Sequence, residues 1–140
     1  MQSRENKGII LVRLFTDEKI NDKLLDVCKQ YNIKNAVILS GIGQVKKIRL
    51  GYFKEKGNYL EEEFQAPLEM LSLTGNVIKN KDEYILHLHT VVGTEDKKTL
   101  GGHLIDATVS VTAEIFILKT NIKAYRKFDG KTGLKSLVLE

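Results

Sequence analysis

A-T-V-S-V-T-A-E-I-F-I-L-K, residues 107–119, is the longest β-rich run in the chain and indicates its fold class. Apolar and polar residues alternate along it, as expected for a strand with one buried face. The predicted buried face comprises Ala107, Val109, Val111, Ala113, Ile115 and Ile117, and the predicted outer face comprises Thr108, Ser110, Thr112 and Glu114. A strand of this length predicts a sheet-based domain.

Turn residues divide the rest of the chain into shorter strands and one helix. Apolar residues recur every three to four positions over residues 18–31, which predicts a helix capped by Thr16 or Asp17 and ended at Asn32. The predicted strands cover residues 8–15, 36–40, 45–53, 59–65, 68–77 and 83–92, and a final hairpin covers 123–128 and 134–139. The pattern is therefore one N-terminal helix followed mostly by sheet.

The three histidines of the chain, His87, His89 and His103, fall within a seventeen-residue segment. In a strand His87 and His89 project from the same face, about 7 Å apart. The turn-forming residues that follow allow the chain to return His103 to this pair. Three imidazoles with an open fourth position form the kind of zinc site that exchanges ligands. We predict a three-histidine metal site, with zinc as the cofactor and other transition metals as alternatives.

Gly101 and Gly102 precede the third histidine in the sequence G-G-H-L. We expect them to permit positive φ and a close approach to the sheet, which would aim His103 at the other two rings. The alternative is a simple flexible loop.

Size and composition favour a single domain over residues 1–140, with 42% hydrophobic and 29% charged residues. The formal net charge is only +4, and the lysines are scattered among acidic residues, so composition gives DNA binding weak support. Cys28 has no partner for an internal disulfide and is expected in the core. We expect a cytoplasmic location and no membrane association, because no apolar run or signal peptide is evident.

The segments L-E-M-L-S-L-T-G at 68–75, H-L-H at 87–89 and G-G-H-L at 101–104 resemble those of the plant and prokaryote conserved (PPC) domain. The resemblance covers nearly the whole chain. It implies an α+β fold with a mainly antiparallel β-sheet, one principal N-terminal helix and assembly as a homotrimer. It also implies that the three histidines are metal ligands and that Glu114 and Arg13 line the same site.

The resemblance also implies a regulatory role with DNA as a partner. In plants this domain accompanies an AT-hook, a separate R-G-R-P-type segment that enters the minor groove. This sequence has no such segment, since its one proline, Pro67, has no neighbouring arginine. DNA binding therefore rests on analogy with a part that this sequence lacks.

Two charged residues of the implied site have ordinary alternatives. Glu114 is a candidate catalytic residue that would orient a ligand histidine or transfer a proton, and otherwise an exposed carboxylate. Arg13 would bind an anionic substrate, or form a structural salt bridge to Glu69 or Glu114. Glu69 itself fits a subunit interface as well as it fits chemistry.

Three function classes follow from the sequence. The first is a trimeric, zinc-binding protein that binds a small molecule or regulates; the second is a zinc-dependent hydrolase or lyase acting on a small molecule; the third is a DNA-binding protein. A cupin is a weaker rival, because Glu95 lies in a predicted loop and does not match the cupin motif. A serine hydrolase is rejected, because Ser40 lacks the G-x-S-x-G pattern.

Overall fold

The computed structural model describes all 140 residues, with nine strands and one helix. In chain order the elements are β1 (Gln2–Asn6), β2 (Ile9–Phe15), α1 (Ile20–Gln30), β3 (Asn35–Glu55), β4 (Asn58–Phe64), β5 (Leu68–Asn80), β6 (Glu83–Gly93), β7 (Thr99–Thr120), β8 (Ala124–Asp129) and β9 (Leu134–Leu139). The predicted combination of a mainly antiparallel sheet with one N-terminal helix is confirmed. No helix has both the length and the apolar character needed to span a membrane.

Seven strands form one sheet in the order β1-β2-β7-β6-β5-β3-β4, and β7 also pairs with β3. This second pairing closes β3, β5, β6 and β7 into a ring in which each strand is antiparallel to both neighbours. A connected core of 25 buried residues fills the fold, and Cys28 belongs to it as predicted. Burial raises the pKa of the Cys28 thiol to about 12.

The helix begins later than predicted. Its N-cap is Lys19, which makes no side-chain capping bond. Asp17 has a left-handed backbone with φ 72°, and its N–H donates to the carbonyl oxygen of Val109 at 3.0 Å. The Glu18 carboxylate accepts bonds from the N-terminal ammonium at 2.7 Å and from the Phe15 N–H at 2.9 Å. Residues 17 and 18 therefore bond to β7, the N-terminus and the end of β2 before the helix starts. Asn32, with φ 46°, ends the helix region as predicted.

The two longest strands exceed their predicted bounds. The S-G-I-G segment at 40–43 lies inside β3, and β7 starts at Thr99, well before the alternating run. Between the pairs Val45–Val109 and Gly43–Ala113, β7 contains two more residues than β3. Val111 lies in this bulge and is 64% exposed, so its predicted place on the buried face is wrong.

Strand β1 was not predicted, and its hairpin to β2 turns at Lys7 and Gly8, which both have positive φ. The C-terminal hairpin is confirmed. Its strands β8 and β9 form a separate two-stranded sheet that contacts β5. The Asn80 side-chain amide donates to the Arg126 carbonyl at 3.2 Å, and its oxygen accepts the Arg126 N–H at 3.3 Å.

Candidate metal centre and its cleft

Neighbouring strands bring the three histidines together. His87 and His89 lie on β6, and His103 on β7 is paired directly with His89. The tight connection from Gly93 to Thr99 returns the chain at this register, with the Thr94 hydroxyl accepting the Lys98 N–H at 3.0 Å. The ring centroids are separated by 5.1, 5.4 and 5.4 Å, and one ligand atom from each ring lies within 4.8 Å of the others.

The donor set fits a transition metal. Four-coordinate zinc with Zn–N bonds of about 2.0–2.1 Å places two ligand nitrogens about 3.3 Å apart, and the Nε2 atoms of His87 and His89 are 3.2 Å apart. Burial, followed by the charge of Arg126, lowers the pKa of His87 to about 4. Burial also lowers the pKa of His103. These two rings are therefore neutral at physiological pH, as metal ligation requires.

Gly101 and Gly102 contribute differently from the prediction. Both lie in extended β7 and neither has positive φ, so that part of the prediction is wrong. The predicted close approach is confirmed. A Cβ atom on Gly102 would lie 2.9 Å from the Gly51 carbonyl oxygen, and one on Gly101 would lie 3.0 Å from the Thr90 carbonyl oxygen. The glycines permit strand crowding beside His103.

The three rings open onto a cleft of about 920 Å³. Tyr59 lies edge-on to His103, with ring centroids 6.3 Å apart. Burial and the nearby Glu61 raise the pKa of the Tyr59 hydroxyl. Glu61 is the one carboxylate among the lining residues, and apolar side chains form other parts of the wall: Phe53, Ile85, Leu86, Ile105 and Leu134. The cleft has room for a small organic molecule.

Arg126 reaches the histidines from the C-terminal hairpin. Its side chain is buried, with 9% exposure, and one guanidinium nitrogen lies 3.2 Å from Nδ1 of His87. The same nitrogen donates to the Asn76 side-chain oxygen at 2.8 Å, and the other terminal nitrogen donates to the Lys135 carbonyl at 3.0 Å. A fixed positive charge therefore borders the histidine cluster.

Glu114 and Arg13 do not join the histidines. Glu114 is exposed, lies eleven residues beyond His103 on β7, and is absent from the cleft wall. Arg13 is exposed on β2, and its guanidinium lies over the Phe15 ring at 5.3 Å. Arg13 and Glu114 are cross-strand neighbours, but Arg13 forms no salt bridge. Arg13 was expected inside an apolar strand, whereas the strand alternates and places it on the solvent face.

Glu69, also considered for the site, lies outside the cleft and accepts a bond from Gln44 at 2.8 Å.

Sequence reasoning missed three residues that shape the cleft. Tyr59, Glu61 and Arg126 sit in strands without a recognisable motif. Only the pairing of β3 with both β4 and β7, and the contact of β8 with β5, brings them to the histidines.

Solved structures share this architecture. A Bacteroides thetaiotaomicron VPI-5482 protein for which DNA binding has been suggested is 26% identical, with a TM-score of 0.93 and coverage of 99% of this chain and 96% of that one. A metal-containing protein of Archaeoglobus fulgidus is 30% identical, with a TM-score of 0.85 and coverage of 98% and 96%. A plant- and prokaryote-conserved protein of Pyrococcus horikoshii is 28% identical, with a TM-score of 0.82 and coverage of 96% and 93%.

A curated relative and a family model also match. The chain is 25% identical over 131 residues to the bifunctional protein GlmU of Synechococcus sp. (strain JA-3-3Ab), covering 92% of this chain but only 20% of that protein's length. The model of the Plants and Prokaryotes Conserved (PCC) domain matches residues 1–121. By this match, and by the similarity to the Pyrococcus protein, the chain belongs to the Plants and Prokaryotes Conserved domain family.

Proposed function

We propose that this protein binds one transition-metal ion per chain, zinc in the first instance, through His87, His89 and His103. The observation that carries the proposal is the convergence of three imidazoles whose ligand atoms lie within 4.8 Å of one another. The metal-containing Archaeoglobus relative supports it. A zinc ion held there supplies Lewis-acid chemistry at its remaining coordination position. The physiological role of the protein is then to bind a small molecule in the adjoining cleft.

Metal analysis tests this proposal. Protein dialysed against zinc and then against buffer is expected to retain about one ion per chain by mass spectrometry. His87→Ala, His89→Ala and His103→Ala are each expected to lower the retained zinc. Undiminished zinc in all three variants would overturn the proposal. Iron(II) and nickel use similar nitrogen donors, so the same measurement is made after exposure to each.

The cleft favours a second candidate, a zinc-dependent hydrolase or lyase acting on a small molecule. Such an enzyme needs room for substrate beside the metal, and the cleft of about 920 Å³ provides it. Glu61, rather than Glu114, is then the carboxylate placed to move protons. Screening ester, amide and carbon–oxygen lyase substrates with the zinc-loaded protein tests this candidate. Turnover that is lost in both His89→Ala and Glu61→Gln would support it over simple binding.

We propose assembly as a homotrimer, in line with the family resemblance. The outer face of the sheet supports it, because β2, β7 and β3 expose large apolar side chains side by side: Ile9, Leu11, Phe15, Val37, Leu39, Ile42 and Phe116. A contiguous exposed apolar surface of this kind is typical of an interface. Light scattering is expected to give three times the mass of one chain.

DNA binding is a weaker proposal for this chain. It is supported by the function suggested for the Bacteroides relative. The basic cluster on β3 is largely neutralised, since Lys46, Lys47 and Arg49 form ion pairs with Asp17, Glu63 and Glu61 respectively. A nonspecific duplex binder relies on unpaired positive charge. Fluorescence anisotropy with labelled duplex at about 100 mM salt tests the proposal, and the absence of any salt-dependent binding would overturn it.

A further inference from the structure

The C-terminal hairpin provides part of the cleft although it lies beyond the residues matched by the family model. The match to the family ends at residue 121, whereas β8 and β9 contribute Arg126, Leu134 and Lys135 to the wall of the cleft. The reciprocal bonds between Asn80 and the Arg126 backbone hold β8 against the end of β5. The hairpin thus places a guanidinium beside His87.

Arg126 is a buried cation without an anionic partner. It forms no salt bridge, and the groups its guanidinium meets are neutral: the Asn76 side-chain oxygen, the Lys135 carbonyl and His87 Nδ1. Its Nε is buried with no hydrogen-bond partner. Glu61, the one carboxylate of the cleft, is paired with Arg49 at 3.8 Å. Buried charges are normally neutralised by a counter-charge, so this arrangement lacks an anion.

A metal ion bound to the histidines would increase the positive charge that lacks a counter-anion. In the structure, Nδ1 of His87 is placed to accept a bond from Arg126. A neutral imidazole that offers Nε2 to a cation keeps its proton on Nδ1, so it can no longer accept that bond. One guanidinium N–H then lacks an acceptor, and a second positive charge has been added nearby. An anion in the cleft would accept a hydrogen bond from this N–H and would neutralise part of the positive charge of Arg126 and the metal ion.

The rest of the wall indicates what the anion carries. Ile85, Leu86, Ile105 and Leu134 give the cleft apolar surface, and its volume of about 920 Å³ exceeds what a bare inorganic ion requires. We propose that the cleft binds a small organic carboxylate, with its carboxylate directed to Arg126 and its apolar portion against these side chains. This inference rests on the proposed metal-binding function, because an ion on the three histidines would supply the second positive charge that the carboxylate neutralises.

Calorimetric titration of the zinc-loaded protein with 3-methylbutanoate tests the inference. The wild type is expected to bind this carboxylate, and to bind its amide much more weakly. Arg126→Gln is expected to weaken carboxylate binding about tenfold or more, because it removes a charge-assisted hydrogen bond in a partly buried site. Lys127→Gln makes the same charge change on the exposed face of β8 and is the matched control, with affinity within about twofold of wild type at a screened surface site.

Two further measurements separate the possible failures. Zinc retention and the circular dichroism spectrum of Arg126→Gln show whether that variant keeps the fold and the metal; if it does not, Arg126→Lys replaces it, with a smaller loss of carboxylate affinity expected. Zinc retained with unchanged carboxylate affinity in the Arg126 variants would overturn this inference alone. Failure of the wild type to bind zinc would overturn the proposed function and this inference with it. Tighter Arg126-dependent binding of inorganic phosphate would overturn the assignment to carboxylates.

Discussion

Gly102 packs against the backbone of Gly51, so closely that a Cβ atom at Gly102 would lie 2.9 Å from the Gly51 carbonyl oxygen. This contact fixes the separation of β3 and β7 immediately before His103. Gly102→Ala is expected to destabilise the fold by about 1–3 kcal/mol, as overpacking does. It is also expected to weaken zinc binding, because β7 must shift next to a ligand. Chemical denaturation and zinc titration measure the two effects.

Gly130→Ala is the control for this substitution. Gly130 has open space around its Cβ position and does not have positive φ. Its replacement is expected to leave both stability and zinc affinity nearly unchanged. Equal effects of the two alanines would show that the strand contact has no special role.

Two carboxylates are expected to differ in their effect on the metal. Glu61 borders the cleft, whereas Glu114 is exposed elsewhere on β7. Glu61→Gln is expected to weaken zinc binding about two- to fivefold, because it removes a negative charge near the cation. Glu114→Gln is expected to leave zinc affinity unchanged. Competition with a chromogenic chelator measures both constants, and a larger effect at Glu114 would contradict the site as drawn from the structure.

The stability of the metal-free protein is expected to depend on pH through His87. Burial, with the charge of Arg126, lowers the pKa of His87 to about 4 in the folded chain, compared with about 6.5 when unfolded. The unfolded chain therefore binds more protons between these values. The contribution of neutral His87 is fully present above about pH 6.5 and is lost as pH falls towards 4.

Urea denaturation of the wild type and His87→Gln at several pH values between 4 and 7 measures this dependence. Glutamine does not titrate and can still accept a bond from Arg126. The free energy of unfolding is expected to fall more steeply with acidification in the wild type than in the variant. Parallel curves would argue against the lowered pKa.

The outer sheet face is expected to control assembly. Leu11 and Phe116 are paired across β2 and β7 and are 42% and 41% exposed. Phe116→Glu is expected to shift the protein from trimer to monomer by light scattering, because it places a charge in the proposed apolar interface. Leu139→Glu, at a 69% exposed position on β9, is the control and is expected to leave the mass unchanged. A trimer that persists in Phe116→Glu would place the interface elsewhere.

Local periodicity predicted most elements of the fold, because strand alternation and helix spacing depend on neighbouring residues. The helix, strand β6 with its two histidines and the C-terminal hairpin were located, whereas His103 was expected in a loop and lies inside β7. Errors arose where distant contacts decide the conformation. Val111 alternates correctly in sequence but lies in a bulge set by the pairing of β7 with β3. Asp17 has a side chain suited to a helix cap, but its backbone N–H donates to Val109 on β7 and the helix starts later.

The same distinction applies to the site. The convergence of His87, His89 and His103 was predictable because all three belong to one hairpin. The one-residue spacing of His87 and His89, and the turn residues before His103, were sufficient to predict that the three rings meet. Arg126 lies 23 positions beyond His103 and 39 positions beyond His87, and the whole of β7 lies between His87 and Arg126. No local pattern reports the docking of β8 on β5, so its position required the structure.

The cleft is composite: the β6–β7 hairpin presents every imidazole and part of the apolar wall, while the β3–β4 and β8–β9 hairpins supply Tyr59, Glu61, Arg126 and the rest of the surface. Substitutions, or exchange of the C-terminal segment, can therefore change which molecules enter while the coordinating nitrogens stay in place. Metal chemistry and ligand choice are in this way separately adjustable, which makes the scaffold a suitable starting point for redesign of specificity.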